Sequence, residues 1–170
     1  ISNISLPGSG SSFSVWFKTK SFDNMLLGKS NDADVYIEVL DATTISIQGV
    51  DGATGKSFTV PTVSLNVWYH LIITRNDNLT RVYLNGVEST SGGQAQSVAF
   101  TADQIGAYGN VASYTWDGSI DDARIYNRVL SLTEITQLYK QGGGKIASSP
   151  PSVQNGLVGW WTFDGADVNA

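Results

Sequence analysis

Short apolar stretches, each alternating with polar residues and each closed by a turn, recur along this chain about every 8–12 positions. Phe13, Val15 and Phe17 alternate with Ser14, Trp16 and Lys18. Val35, Ile37 and Val39 alternate with Tyr36, Glu38 and Leu40, and Ile45 and Ile47 follow the same rule. A period of two places one set of side chains in a core and the other outside, as in a half-buried strand. Val67 to Arg75 is the most hydrophobic such stretch and reads as a central strand. The punctuation is that of hairpins: Asn76-Asp77-Asn78, Asp117-Gly118 and, most strongly, Asn85-Gly86. Helical periodicity occurs once. Ser131 precedes Glu134 at the spacing of a capping box, Leu132, Ile135, Leu138 and Tyr139 share a face, and Gly142 can stop the helix. The expectation is an all-β protein, a two-sheet antiparallel sandwich with one short helix near its C-terminal end.

Composition narrows the function classes. With 170 residues, 41% of them hydrophobic and 15% charged, the chain can bury a sizeable core. A net charge of −5 argues against nucleic-acid binding, which needs clustered Lys and Arg. There is no Cys, hence no disulfide and no thiolate metal site. Apolar runs fall far short of the roughly 20 residues that span a bilayer, so membrane insertion is not expected. The chain begins at Ile1 without Met and reads as a piece of a longer protein.

Four stretches, in order, carry a family resemblance: Ser12-Phe13-Ser14-Val15-Trp16-Phe17-Lys18, Trp68-Tyr69-His70-Leu71-Ile72-Ile73-Thr74, Val82-Tyr83-Leu84-Asn85-Gly86, and Gly118-Ser119-Ile120-Asp121-Asp122-Ala123-Arg124-Ile125-Tyr126-Asn127-Arg128-Val129-Leu130-Ser131 with Glu134-Ile135. Together they resemble the LamG-like jellyroll domains of the concanavalin A-like lectin/glucanase superfamily. The resemblance implies a jellyroll over residues 1–141 that lacks its first strand. Residues 142–155, rich in Gly, Ser and Pro, read as a linker. Residues 156–170 contain Leu157-Val158-Gly159-Trp160-Trp161-Thr162-Phe163-Asp164-Gly165, which resembles the opening strand of a next repeat in a tandem array. An isolated strand is not stable alone. It is expected to complete a sheet, in its own chain or in a neighbour, beside the strand at 119–126. Trp160 and Trp161 should point to opposite faces of it.

The resemblance also implies a structural Ca²⁺, with Asp121 from the last strand and the Asp164–Gly165 turn as donors. Asp122, one residue on, should face away from Asp121. The alternative for these acids is a solvated pair beside Arg124. Asn31-Asp32-Ala33-Asp34 and Asp23-Asn24 are further loop acids that could hold a cation or simply make turns. Tyr108, Asn110, Tyr114 and Trp116 flank a polar loop and could form a platform on which a sugar stacks. The competing account is that Trp116 packs in the core. His70, alone of its kind, reads as a structural residue beneath a loop.

Catalysis is not expected. The chain has three Glu (Glu38, Glu88 and Glu134), none in the paired-carboxylate strand motif of glucanases, and Glu134 belongs to the helix cap. Gly55-Lys56-Ser57 lacks the upstream Gly of a phosphate loop. The functional expectation is a non-catalytic module of an exported, bacterial, extracellular or cell-surface protein, with a carbohydrate or a cell-surface protein as partner. The alternative is an assembly repeat that self-associates by strand complementation into dimers or filaments.

Overall fold

The computed structural model describes residues 4–7, 9–30, 35–48, 55–95, 100–109, 114–142 and 151–163. Every β-ladder among them is antiparallel. In chain order the strands are β1 (Ile4–Leu6), β2 (Ser11–Thr19), β3 (Asn24–Gly28), β4 (Tyr36–Asp41), β5 (Thr44–Gln48), β6 (Lys56–Thr59), β7 (Tyr69–Asn76), β8 (Leu79–Leu84), β9 (Val87–Glu88), β10 (Gln94–Ala95), β11 (Phe100–Ala102), β12 (Gln104–Ile105) and β13 (Gly118–Tyr126). Helix α1 (Leu132–Gln141), a single turn α2 (Pro151–Gln154) and strand β14 (Leu157–Trp161) follow.

One sheet runs β10-β8-β7-β2-β13-β14, with β9 also on β8; a second runs β12-β3-β4-β5-β6, and β1 pairs with β11 in a separate two-stranded ladder. Phe13, Val15 and Phe17 of β2 meet Ile37, Val39, Ile45 and Phe58 of the second sheet in one buried cluster. This is the jellyroll-type sandwich that the alternation implies. Strand β7 lies inside its sheet, between β2 and β8. Two tight hairpins make the β7–β8 and β8–β9 connections. Asp77, Asn78, Asn85 and Gly86 all have positive φ, the backbone that matches the twist of two paired strands.

The opposite face of the larger sheet is covered by α1. Ser131 caps it: its Oγ accepts from Glu134 N–H while Glu134 reaches back to Ser131 N–H at 2.9 Å. Ile135 and Leu138 are buried against Ile72, Tyr83 and Tyr126. Leu132, expected on that face, is exposed: it is the first residue of the helix and overhangs the sheet. The segment that composition marks as linker contains α2, whose Val153 is fully buried in the same cluster.

Strand β14 pairs with β13 of its own chain, Ala123 opposite Trp161 and Arg124 opposite Trp160. It forms the edge of the larger sheet. Trp161 packs against the core between the sheets, while Trp160 lies on the other face over Arg124.

Candidate functional site

Strand β13 decides where the acidic residues go. Ile120 opposes Phe17 and Asp121 opposes Trp16, but further on it is Arg124 that opposes Ser14 and Ile125 that opposes Phe13. Asp122 and Ala123 therefore share one position opposite Val15, a β-bulge. Asp122 takes the left-handed conformation there, at φ 49°, which Asp tolerates better than most residues. The bulge lets Ile120, Ala123 and Ile125 all reach the core. It also overturns the expectation that Asp122 faces away from Asp121. The Asp122 carboxylate lies on the Trp16–Ser14 face, accepting from Arg124 Nε at 2.8 Å and from Trp160 Nε1 at 2.6 Å. Arg124 is fully buried and its guanidinium stacks 4.6 Å from the Trp160 ring centroid. Burial pushes the Asp122 carboxyl above its ordinary range, against the pull of Arg124 and Trp160. Asp122 and Arg124 thus form a buried clamp joining β13 to β14, while Asp121, whose Oδ1 accepts from Asp122 N–H at 2.7 Å, lines a cleft.

That cleft, of about 310 Å³, is lined by Trp16, Trp68, Asp121 and Gly142. Trp16 enters it from β2, where its ring stacks on His70 at 4.9 Å and on Tyr139 of α1 at 6.0 Å between centroids. Trp16 is only 7% exposed, and its indole N–H has no partner among the described residues. Trp68, just before β7, is 39% exposed, with Lys18 Nζ over its ring at 5.2 Å. His70 lies beneath helix α1 rather than beneath a loop. Its Nε2 shares a 2.8 Å hydrogen bond with Ser14 Oγ, its N–H donates to Asn85 Oδ1, and burial with the nearby Arg124 charge holds its pKa down to about 3. It is a buried, neutral spacer in an aromatic pile.

Of the residues expected to form a sugar platform, Tyr108 and Tyr114 stay in contact with each other, while Tyr108 and Trp116 also pack against other rings. Tyr108 is buried, edge-on to both Tyr36 and Tyr114. Trp116 packs edge-on against Phe17 and donates to Ser119 O at 3.2 Å. Tyr114 keeps an exposed ring, at 46%. Asn110 lies outside the described residues, as do Asp164, Gly165 and Asn31–Asp34. A second cleft, of about 360 Å³, lies between Asp103, Gln104, Ile105 and Ala107 on one side and Trp161 and Phe163 on the other. Asp103 is occupied there by Ser30, whose N–H and Oγ both donate to it at 2.8 Å.

Calcium takes six to eight oxygen ligands. Asp121 offers an oxygen donor of the right chemistry at a cleft wall, whereas Asp122 is already committed to Arg124 and Trp160. Among the described residues no three acidic or His side chains converge on one point. The described part of the set therefore supplies one carboxylate.

All three Glu are engaged with neighbours. Glu88 pairs with Arg81, and Glu134 with Arg128 at 2.7 Å. Glu38, 5% exposed, hydrogen-bonds to Asp23, and burial and that neighbour together push its pKa up to about 8. Two carboxyls in hydrogen-bonding contact are closer than the ~5–9.5 Å that hydrolysis of a glycosidic bond requires.

A two-layer antiparallel sandwich with a helix on the outer face of its larger sheet defines the class, that of lectin-like β domains. The sequence profile of the laminin G family (type 3), concanavalin A-like lectin/glucanases superfamily, matches residues 1–136. The chain belongs to that family. Among solved structures it resembles a protein of Bacteroides ovatus ATCC 8483 provisionally assigned to carbohydrate binding. There the TM-score is 0.66 and the identity 17%, over 93% of this chain and 46% of the other. It also resembles the heptameric SAP-like pentraxin of Limulus polyphemus (TM-score 0.60, 16% identity, 95% and 83% covered). Domain 4 of an extracellular arabinanase from Geobacillus stearothermophilus, solved with arabinotriose, matches at TM-score 0.55 and 21% identity (81% and 72% covered). At these identities the likeness is one of fold. The chain spans about half the length of the Bacteroides protein. A comparison with curated proteins finds no match. Among the described residues no helix is long and apolar enough to cross a membrane.

Proposed function

We propose that this chain is a non-catalytic recognition module that binds carbohydrate, displayed outside the cell as part of a larger exported protein. The observation that carries the reading is the lectin-type sandwich holding a surface cleft walled by tryptophan and a carboxylate, the mix by which proteins grip polyols. The occupied state of all three Glu supports a binding role over hydrolysis. A glycan array probed with the folded chain tests it. Reproducible binding to at least one glycan is expected, and a blank array from correctly folded protein would reject the reading.

We further propose that the module carries a structural Ca²⁺ with Asp121 and the Asp164–Gly165 turn as donors, as the family resemblance implies. The direction of β14 supports this: its last residue, Trp161, lies opposite Ala123, two residues from Asp121 on the side toward which the strand runs. Calorimetric titration with calcium should give a binding heat and a higher melting temperature. A flat titration with no thermal shift removes the ion.

A second reading, self-assembly of repeats through β14, has one observation in its favour. This edge strand exposes Val158 at 60%. Size-exclusion chromatography showing a monomer at all concentrations would end it.

A further inference from the structure

The carbohydrate reading does not say where the sugar sits, and the residues singled out by sequence for a platform are largely spent on packing. We propose that the ligand seat is the cleft between Trp16, Trp68, Asp121 and Gly142, on the helix-bearing face of the larger sheet, and that it holds one uncharged sugar ring by direct contact. The inference rests on the carbohydrate reading. Three independent features of the cleft point to it.

The first is unmet hydrogen bonding. Trp16 is nine-tenths buried, and its indole N–H finds no acceptor among the described residues. Gln141, the last residue of α1 and the sequence neighbour of the cleft's Gly142, has a buried side-chain oxygen with no donor among the described residues. A hydroxyl both accepts and donates, so one sugar hydroxyl can serve an N–H donor and an oxygen acceptor at once. Buried polar groups are rarely left without partners, and Trp16 itself lines the opening.

The second is the aromatic wall. Trp68 is one of the large apolar side chains left exposed, and its indole presents a flat apolar surface to which the C–H face of a pyranose or furanose can lie parallel. Gly142 lines the cleft as well, and among the described residues a Cβ built on it would meet nothing within 4 Å. The volume, about 310 Å³, is at the small end of ligand sites, which suits one ring and its substituents.

The third is the balance of charge. Asp121 lines the cleft, and Lys18 stands over Trp68. A carboxylated sugar would be repelled by the Asp121 carboxylate in the cleft wall. A neutral polyol avoids that penalty and can donate to the carboxylate.

The test uses the full chain labelled with ¹⁵N and titrated at millimolar concentration with methyl α-D-mannopyranoside, methyl β-D-galactopyranoside, methyl α-L-arabinofuranoside and N-acetylneuraminic acid. The indole N–H signals of the five Trp are read. The signals of Trp16 and Trp68 are expected to move with at least one of the three neutral glycosides, and that of Trp116 to stay. Trp68→Ala, at an exposed position, is expected to keep the melting temperature and weaken binding about tenfold or more. Asp121→Asn is expected to weaken it as well. Shifts confined to Trp116 and Trp161, undiminished binding by Trp68→Ala, preference for N-acetylneuraminic acid, or no response to the neutral glycosides from a chain that binds an array glycan would each overturn the seat. All of these leave the carbohydrate reading in place. An empty array overturns both.

Discussion

At the scale of single residues, the molecule is held by charges it has buried. Arg124 is fully enclosed, and its closest carboxylate, Asp122, also receives the indole N–H of Trp160. Removing one partner of such a pair strands the other charge in a low-dielectric interior. Asp122→Ala should therefore destabilise the fold by about 3–5 kcal/mol, measured by urea unfolding. A loss below 1 kcal/mol would show that the clamp is not structural. Titratable groups give the stability a pH signature. The His70 pKa is held near 3 against an ordinary 6.5, so the unfolded chain takes a proton that the folded chain refuses. Its contribution is whole above pH 6.5 and disappears as pH falls towards 3. Glu134, held down to about 2 by Arg128 and the helix cap, adds stability that is whole above 4.5 and lost below it. Glu38 works in the other direction. With its carboxyl pushed up to about 8, the folded state retains a proton that the unfolded chain releases above 4.5, and stability declines as pH rises from 4.5 to 8. Glu38→Gln should flatten that decline in melting temperature, and an unchanged slope would refute the assignment.

At the scale of elements, α1 and β13 carry the architecture. The capping box of Ser131 and Glu134 is complete, and Ser131→Ala should cost about 1 kcal/mol in denaturant unfolding. Both helix and cap are legible in the sequence, because capping is local chemistry at fixed spacing. The hairpins at Asp77-Asn78 and Asn85-Gly86 are legible for the same reason: positive φ selects those residues. The bulge in β13 is legible only in hindsight. Ile120 and Ile125 are separated by an odd number of positions, so both can face the core only if one extra residue is inserted between them. A strict period of two, applied through Asp121 and Asp122, assigns the second carboxylate to the wrong face. The turn α2 leaves no periodic signal, since a single turn is too short to show one; its burial depends on Val153 meeting Tyr126 and Leu138.

At the scale of the whole molecule, the tail belongs to the sandwich. β14 adds to β13, α2 covers part of the outer face, and Trp160 completes the Arg124 clamp. A chain ending at 155 should melt at a lower temperature than the full one and expose apolar surface to a hydrophobic dye. Equal melting would mean that the strand is dispensable. The cleft belongs to this scale too, which is why sequence reading finds Asp121 but not the seat. Its walls come from β2, the approach to β7, β13 and the end of α1, residues brought together only by the closed sheet. Tyr108 and Trp116 carry the sequence signature of a platform, but their rings face Tyr36 and Phe17. The central claim, a sugar held on the helix-bearing face, is tested most directly by a crystal structure of the full chain grown with a glycan selected from the array. The account predicts a sugar ring against Trp68 with hydroxyls reaching Asp121 and the indole nitrogen of Trp16; a ring seated on the smaller sheet, or beside Trp161 and Phe163, would contradict it.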